Sequence, residues 1–404
     1  MRNNSLLALN IFPTSKEISN FRPKEYSKFK KLIGKKIKNC FFNEAGNNLY
    51  SCHLFRNILQ IYWVENRFKK SMIIGINTKE LNYSISNKYY NILEFWVSSA
   101  KNFLKRVCLI LIRGEGEIWQ FSLIQKNHKN KKSIRIVLLF GTSIWIFDIS
   151  SFLPQFFKIH SPFFKIELAN LFQWKMCLGK NLIITGDICG KITILNTGKN
   201  LEVSQINHNK NINNPVGDLK LIEFDINKRI LLITGGYDGI LNVWSVGKKI
   251  TVLKEIQFNN RWLVKLDSNF IKRDYFLVFV SFENGFESIV LFNEKIKTIK
   301  ILSVQGCSGL TYIRPNYIFN TDNDGNINFL EINAPERKGK NHLNLFYNRF
   351  FFFNWGIKVK INNTVAQCIG VRYQNMLINF QRNGFKKGNF LVSGFHGTVM
   401  SLKL

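Results

Sequence analysis

Acidic residues are scarce in this chain: 26 Asp and Glu stand against 57 Lys and Arg over 404 residues, for a formal net charge of +31. A sequence so poor in carboxylates offers little from which to build a paired acid/base or carboxylate-rich metal centre, and its charge favours polyanions over neutral partners. Two origins of that charge stay open, because Lys, Asn, Ile and Phe, which A/T-rich codons encode, are heavily used throughout. The charge is either a selected binding face or a product of codon composition.

Paired cysteines are also missing. The seven cysteines, at 40, 52, 108, 177, 189, 307 and 368, contain no Cys-x-x-Cys and leave one over, which argues against a disulfide framework and for a reduced, intracellular protein. Cys40 with Cys52-His53 is the one cluster that invites a metal, and its spacing matches no zinc pattern, so buried thiol is the expectation. Long apolar runs are absent too. Lys, Arg or Asn interrupts every hydrophobic stretch short of the ~20 residues of a spanning helix, and Asn10 breaks the N-terminal apolar run before any cleavage site. The expectation is a soluble chain with no membrane partner.

Catalytic signatures are missing as a class. Gly179-Lys180, Gly198-Lys199 and Gly247-Lys248 lack the rest of a phosphate-binding loop, and Gly114-Glu115-Gly116 opens a predicted strand rather than a helix. There is no Gly-x-Ser-x-Gly and no His-Glu-x-x-His, and the six histidines include no pair at ligand spacing. The sequence is therefore read as noncatalytic, with no cofactor and no metal.

What the chain does have is repetition. Residues 231–246 read LLITGGYDGILNVWSV: an apolar run, a small-residue step, an Asp238-Gly239 turn and a second apolar run. That is the pattern of two strands in a tight hairpin, with Asp-Gly expected to supply the positive-φ positions. The same order recurs at 182–196 (LIITGDICGKITILN, turning at Asp187 and Gly190), at 317–332 (YIFNTDNDGNINFLEI, turning at Asp324-Gly325) and at 389–404 (NFLVSGFHGTVMSLKL, turning at Gly397). One supersecondary unit used several times is the mark of a repeat array.

These hairpins resemble the inner strands of WD40 blades, and the resemblance implies an all-β chain folded as a single seven-bladed β-propeller. Candidate innermost strands start near Asn39, Gly116, Leu171, Gly217, Arg261, Gly306 and Val365, at separations of 77, 55, 46, 44, 45 and 59. The three middle intervals match a period of roughly 40 to 45 residues. The longer ones require insertions, placed at 77–90, 126–132 and 334–344; six blades or a partly degenerate ring are the alternatives. Residues 1–34 form a basic, poorly ordered arm in this reading and 35–404 the propeller. Because the sequence stops after the third strand of its last repeat, an earlier segment must supply the fourth strand, and 24–37 is the expected donor.

Familiar WD40 blades carry a Gly-His, a turn Asp and a Trp-Asp that can bridge strands. Here fragments stand out: Asp238-Gly239, Asp324-Gly325, Trp244 followed by Ser245, Phe147-Asp148, and His208 near a blade-His position. Stability is accordingly expected from apolar packing of the 37 Phe and 8 Trp.

Three basic runs are the candidate contact residues for DNA or RNA: Lys30, Lys31, Lys35 and Lys36 in the first, Lys105 and Arg106 in the second, and Lys129, Lys131 and Lys132 in a third, read as a loop. Arg349, within the aromatic run LFYNRFFFFNW at 345–355, is a further partner-contact candidate, although a buried outer strand of the last blade is the favoured reading of that run, given how often Phe is buried.

A more specific likeness rests on 113–123 followed by a basic loop, on 136–150 (IVLLFGTSIWIFDIS) with Phe152-Leu153-Pro154, and on 367–404 with Arg372-Tyr373-Gln374-Asn375 and Leu391-Val392-Ser393-Gly394. These resemble the second and closing blades of the WD40 subunit of transcription factor IIIC. The family's Trp-Asn-x-Asn stands here only as Arg-Tyr-Gln-Asn, and its long N-terminal extension is missing. What the resemblance implies is a noncatalytic subunit of a nuclear nucleoprotein complex that recruits RNA polymerase III, with other protein subunits as partners. A component of ribosome biogenesis or RNA processing is the alternative, and a propeller enzyme a remoter one.

Overall fold

Alternation with a period of two dominates the middle of the chain, and it becomes a row of twisted antiparallel sheets. The computed structural model describes the backbone at 36–38, 49–53, 60–65, 70–76, 91–98, 103–112, 118–128, 131–148, 157–159, 164–168, 172–179, 181–198, 202–209, 214–224, 229–247, 249–259, 262–272, 275–283, 286–293, 295–305, 309–314, 317–321, 327–332, 347–352, 357–361, 364–368, 381–382, 389–393 and 398–403. Side chains are described within 118–298, apart from 125–134, 148, 157–164, 269–275 and 286–287. Every regular element among these residues is a β-strand, and no helix among them is long and apolar enough to cross a membrane.

The chain divides into two compact units, 1–174 with 381–404, and 175–380. In the first unit, Gln60–Glu65, Lys70–Ile76, Asn91–Ser98 and Phe103–Ile112 form consecutive strands of one sheet, with Lys36–Lys38 and Phe157–Ile159 added beside Phe103–Ile112. The run of consecutive strands begins at Gln60–Glu65, where QIYWVE carries the alternation that a paired strand needs; the candidate segment starting at Asn39 lies outside the described residues. The 77–90 insertion falls between the second and third strands.

The next sheet is built from Gln120–His128, Lys131–Leu139, Ser143–Asp148 and Phe164–Glu167. Its first two strands run on through the segment read as a basic loop, pairing His128 with Lys131 and Asn127 with Lys132. The correction has a simple cause: only Lys129-Asn130 separates the arms, and a two-residue connection extends a hairpin to its tip whatever the charge of the flanking residues.

A third sheet of this unit joins the two ends of the sequence. Thr398–Lys403 pairs with Asn389–Ser393 on one side and with Leu49–His53 on the other, in a register running from His53 opposite Thr398 to Leu49 opposite Leu402. The fourth strand is donated from an earlier segment, as the repeat pattern required, but the donor is 49–53 rather than 24–37. Lys36–Lys38 lies instead against residues 103–105, with Lys36 opposite Lys105. Residues near Val365 do not open this sheet: Thr364–Cys368 pairs with Ile357–Ile361 across the two residues Asn362-Asn363, and the closing sheet begins with Gln381–Arg382. Asn tolerates the left-handed backbone of tight turns, so the local hairpin outcompetes a distant pairing.

The second unit, entered within Gln173–Leu178, repeats one construction. Its sheets comprise Gln173–Leu178, Leu182–Asp187, Lys191–Asn196 and Glu202–Asn207; then Val216–Glu223, Ile230–Gly236, Ile240–Val246 and Ile250–Gln257; then Leu263–Lys272, Tyr275–Phe282, Phe286–Asn293 and Thr298–Gln305; then Gly309–Arg314, Tyr317–Thr321, Ile327–Ile332 and Tyr347–Phe352.

Strand pleating decides how these sheets stack. In the sheet at 216–257, Leu231, Ile233, Leu241 and Val243 point forward into a cluster with Leu263, Leu266, Phe276, Val278, Val280, Phe282 and Phe292 of the following sheet. The intervening Leu232 and Trp244 point backward onto Ile184, Ile192 and Ile194 of the preceding one. Phe276 stacks on Phe292 at 5.1 Å, and Phe258 meets Phe282 edge-on at 5.2 Å. Each such ring contributes about 1.5–3 kcal/mol by leaving water. First strands approach closely: a methyl group added at Gly217 would lie 1.7 Å from the Leu263 carbonyl oxygen of the next sheet.

Candidate interaction face

The hairpin at 230–246 is held by more than apolar packing. On its backward face, between Leu232 and Trp244, alternation places Thr234 and Asn242, both fully buried. The Trp244 indole Nε1 donates to Thr234 Oγ1 at 2.9 Å, and the same hydroxyl meets His208 Nδ1 at 2.8 Å. Asn242 Nδ2 donates to the His208 carbonyl at 2.7 Å, and His208 Nε2 lies 3.5 Å from Asp238 Oδ1. A buried hydroxyl with partners on both sides loses its desolvation penalty and ties two strands and a loop together. The sequence reading had only scattered fragments of this network. His208, Asp238 and Trp244 meet through Thr234, which was not singled out because Thr in a strand carries no signal of its own.

The network also fixes the turn. Gly239 N–H donates to Gly236 O at 3.1 Å with Gly239 at φ 75°, so Gly239 alone takes the left-handed conformation. Asp238 keeps negative φ and its carboxylate accepts from Ile240 N–H at 2.9 Å and Asn209 Nδ2 at 2.9 Å. Burial raises the Asp238 pKa, but the bonds from His208, Ile240 N–H and Asn209, with the charge of His208, outweigh it and leave the carboxyl below its ordinary value.

The hairpin at 182–196 keeps the turn and loses the network. Gly190 has φ 85°, and Asp187, the last residue of its strand, accepts from Cys189 N–H at 2.8 Å and Lys191 N–H at 2.7 Å. Leu195 stands where Trp244 stands in the next repeat. Among the described residues Thr185 Oγ1 and Asp187 Oδ2 are buried without a hydrogen-bond partner, and burial, opposed by the turn N–H groups and Lys191, raises the Asp187 pKa.

Along the first strands runs a charged ladder. Met176, Leu219 and Leu266 are buried at equivalent positions. Flanking them are two rows across three neighbouring sheets, Lys175–Asp218–Lys265 and Cys177–Lys220–Asp267. Lys220 Nζ pairs with Asp267 Oδ1, Lys265 Nζ lies 4.0 Å from Asp218 Oδ2, and that oxygen accepts Leu266 N–H at 2.8 Å. Burial depresses the Lys220 pKa, but Asp267, through charge and hydrogen bond, and then Asp218 raise it overall. Burial, helped by Asp218, pushes the Cys177 thiol up, which makes it a poor nucleophile. Burial, opposed by Asp218 and aided by Lys265, lowers the Lys175 pKa, and the ladder as a whole joins adjacent sheets.

Exposed chemistry lies at the end of the sheets where the first strand begins and the second turns back. Tyr237 sits at the tip of its hairpin, its N–H bonded to Pro215 O at 3.0 Å. Its ring stacks on Trp262, which enters the next sheet, with centroids 5.2 Å apart and planes within 7°. Trp262 remains 49% exposed, and Ile188, at the position matching Tyr237 in the preceding hairpin, 44%. Glu283 closes the group: its N–H donates to Trp262 O at 3.1 Å, its side chain is exposed, and after burial its charge is the cause that raises the Tyr237 pKa. In the first unit Trp119, likewise one residue before a first strand, is 46% exposed and meets Phe172 edge-on at 5.1 Å.

The residues singled out from sequence fall elsewhere. Lys36 and Lys105 are opposite each other on paired strands, and Arg106 lies opposite Trp96, so two of the three basic runs meet. Lys131 and Lys132 are in a strand. Arg349 is in Tyr347–Phe352, the fourth strand of the sheet that precedes the closing one, opposite Leu330. Lys30, Lys31, Lys35, Lys129, Asp324, Gly325 and Gly397, with the Cys40 and Cys52-His53 cluster's side chains, lie outside the described residues. The sequence search missed Tyr237, Trp262 and Glu283. The lone Trp preceding each apolar strand start, at 119 and 262, was the available signal.

No protein-family model and no curated protein matches the chain. Solved structures do. The WD40 β-propeller domain of Doa1 is similar over 90% of this chain and 96% of its own, at 11% identity and a TM-score of 0.51. BBS1N, in a complex with ARL6DN soaked with lead, is similar over 86% of this chain and 92% of its own, at 11% identity and a TM-score of 0.52. The likeness and the succession of four-stranded antiparallel sheets show the fold: the chain is all-β and built as a β-propeller.

Proposed function

We propose that the chain is a noncatalytic interaction scaffold that docks protein partners on the face carrying Ile188, Tyr237 and Trp262. The observation that carries this reading is the Tyr237–Trp262 stack: a large aromatic surface, half open to water, set on a hairpin tip that a buried network immobilises. Rigid, exposed aromatic anchors are what protein interfaces use as energetic centres. BBS1N, similar in fold, is described in complex with a second protein.

In its finer form the reading places the scaffold in a nuclear nucleoprotein complex of the transcription factor IIIC kind, resting on the sequence likeness at 113–154 and 367–404. Tagged protein and its W262A variant, each purified with bound proteins and nucleic acid, test both levels. Loss of specific partners in the variant is expected. An unchanged partner set refutes the docking face, and pre-ribosomal RNA without polymerase III factors refutes the transcription assignment in favour of ribosome biogenesis.

A second reading, polyanion contact, is favoured by the strand pairing that brings two of the basic runs together, Lys36 lying opposite Lys105 in register. Binding to DNA or RNA is expected to weaken steeply from low to physiological salt, with little sequence preference. Absence of binding at low salt would leave the charge compositional.

A further inference from the structure

We infer that the Tyr237–Trp262 face takes an arginine side chain of a protein partner; this rests on the docking reading above and names the chemistry of its occupant. Tyr237 covers one face of the indole, and the remaining half of Trp262 is open. An aromatic face presents negative electrostatic potential and attracts a planar cation laid over it. Glu283 is tied to the Trp262 carbonyl through its N–H, its side chain is exposed, and its charge acts on the Tyr237 hydroxyl, so a carboxylate belongs to the same face as the stacked pair. A guanidinium satisfies both at once, stacking on the indole while its N–H groups face a carboxylate, whereas an ammonium offers no plane to stack.

The same carboxylate argues against a nucleobase in this place, because the phosphates that follow a stacked base would approach Glu283. The net charge of +31 does not overrule the local pattern. At physiological ionic strength charges beyond about 8 Å are screened, so the potential at this face is set by local groups, Glu283 and the Arg261 that precedes Trp262 in the chain, and not by the net charge. Asp238, adjacent to Tyr237, is already committed to His208, Asn209 and the Ile240 N–H.

The test uses the full chain with 15N-indole-labelled tryptophan, carrying R261Q in every arm so that the chain's own neighbouring guanidinium cannot answer for an added one. Acetyl-Gly-Gly-Arg-Gly-Gly-amide, its lysine and citrulline counterparts and an eight-residue oligothymidylate are titrated against the Trp262 indole resonance. The arginine peptide is expected to bind roughly fivefold more tightly than the citrulline peptide, with the lysine peptide between them. E283Q reduces that preference below about twofold, and W262A removes the response altogether. Equal binding of arginine and citrulline peptides, or stronger binding of the oligonucleotide, overturns the inference. Partner capture separates the two claims: capture lost in W262A but intact in E283K refutes arginine recognition alone, and capture intact in W262A refutes the docking face itself.

Discussion

Replacing Thr234 by Val keeps its shape and removes one oxygen, so it isolates the worth of the buried network. The side chain has no solvent exposure, and its hydroxyl is the partner of both Trp244 Nε1, at 2.9 Å, and His208 Nδ1, at 2.8 Å. Water cannot reach either group to replace it. An orphaned buried polar group costs about 1–3 kcal/mol. Two orphans sharing one site give about 3 kcal/mol in all, since coupled losses do not add fully.

The molecule contains its own control. Thr185 occupies the matching position in the preceding sheet, is equally buried, and has no hydrogen-bond partner among the described residues. T185V removes an unsatisfied hydroxyl and is expected to be neutral or mildly stabilising. Urea unfolding followed by tryptophan fluorescence measures both. Because the slope grows with chain size beyond the about 1–3 kcal/mol per molar of small proteins, T234V should lower its transition by roughly 0.5 to 1 M, and T185V should not. A T234V transition within about 0.5 kcal/mol of the parent, or equal losses in the two variants, would refute the argument that the hydroxyl network holds this hairpin.

Four further outcomes are expected. G217A should destabilise by about 1–3 kcal/mol, because its methyl group would meet the Leu263 carbonyl and force the first strands apart; thermal unfolding reads this directly. Asp238, whose pKa lies below the ordinary value in the folded chain, contributes stability that is complete above the carboxylate pKa of about 3.9 and is lost as pH falls through its folded value; D238N should abolish that part of the acid-side loss in a pH series of urea midpoints. Asp187 has the opposite sign: its raised pKa makes the ionised form a burden as pH rises above the ordinary value, so D187N should gain stability relative to the parent at pH 8 and lose the advantage near pH 3. Ending the chain at Gly397 removes the strand that pairs with Leu49–His53, and limited proteolysis should then cut rapidly near residue 50.

Much of the fold was legible because its signals are local. The hairpin at 230–246 announced itself through apolar runs around Asp238-Gly239, and the first strands beginning near Gly217, Arg261 and Gly306 fall where the repeat interval put them, in Val216–Glu223, Leu263–Lys272 and Gly309–Arg314. Where an insertion stretched the spacing, at Val365, the reading failed. Alternation identifies a strand without saying which partner it pairs with. The basic segment at 126–132 was misread for the same reason: charge describes solvation, while pairing follows from the two-residue connection between His128 and Lys131.

The sequence by itself determined that this chain would form short alternating strands, tight glycine-bearing turns and a repeated four-stranded unit, because pleat and turn conformation depend on neighbours a few residues apart. Tertiary structure alone decided that Leu49–His53 completes the closing sheet, that Thr234 joins His208 to Trp244, and that Trp262 lies on Tyr237 beside Glu283. Each of those juxtapositions links residues brought together only when one sheet packs on the next or distant segments pair, and no period in the sequence encodes such a distance.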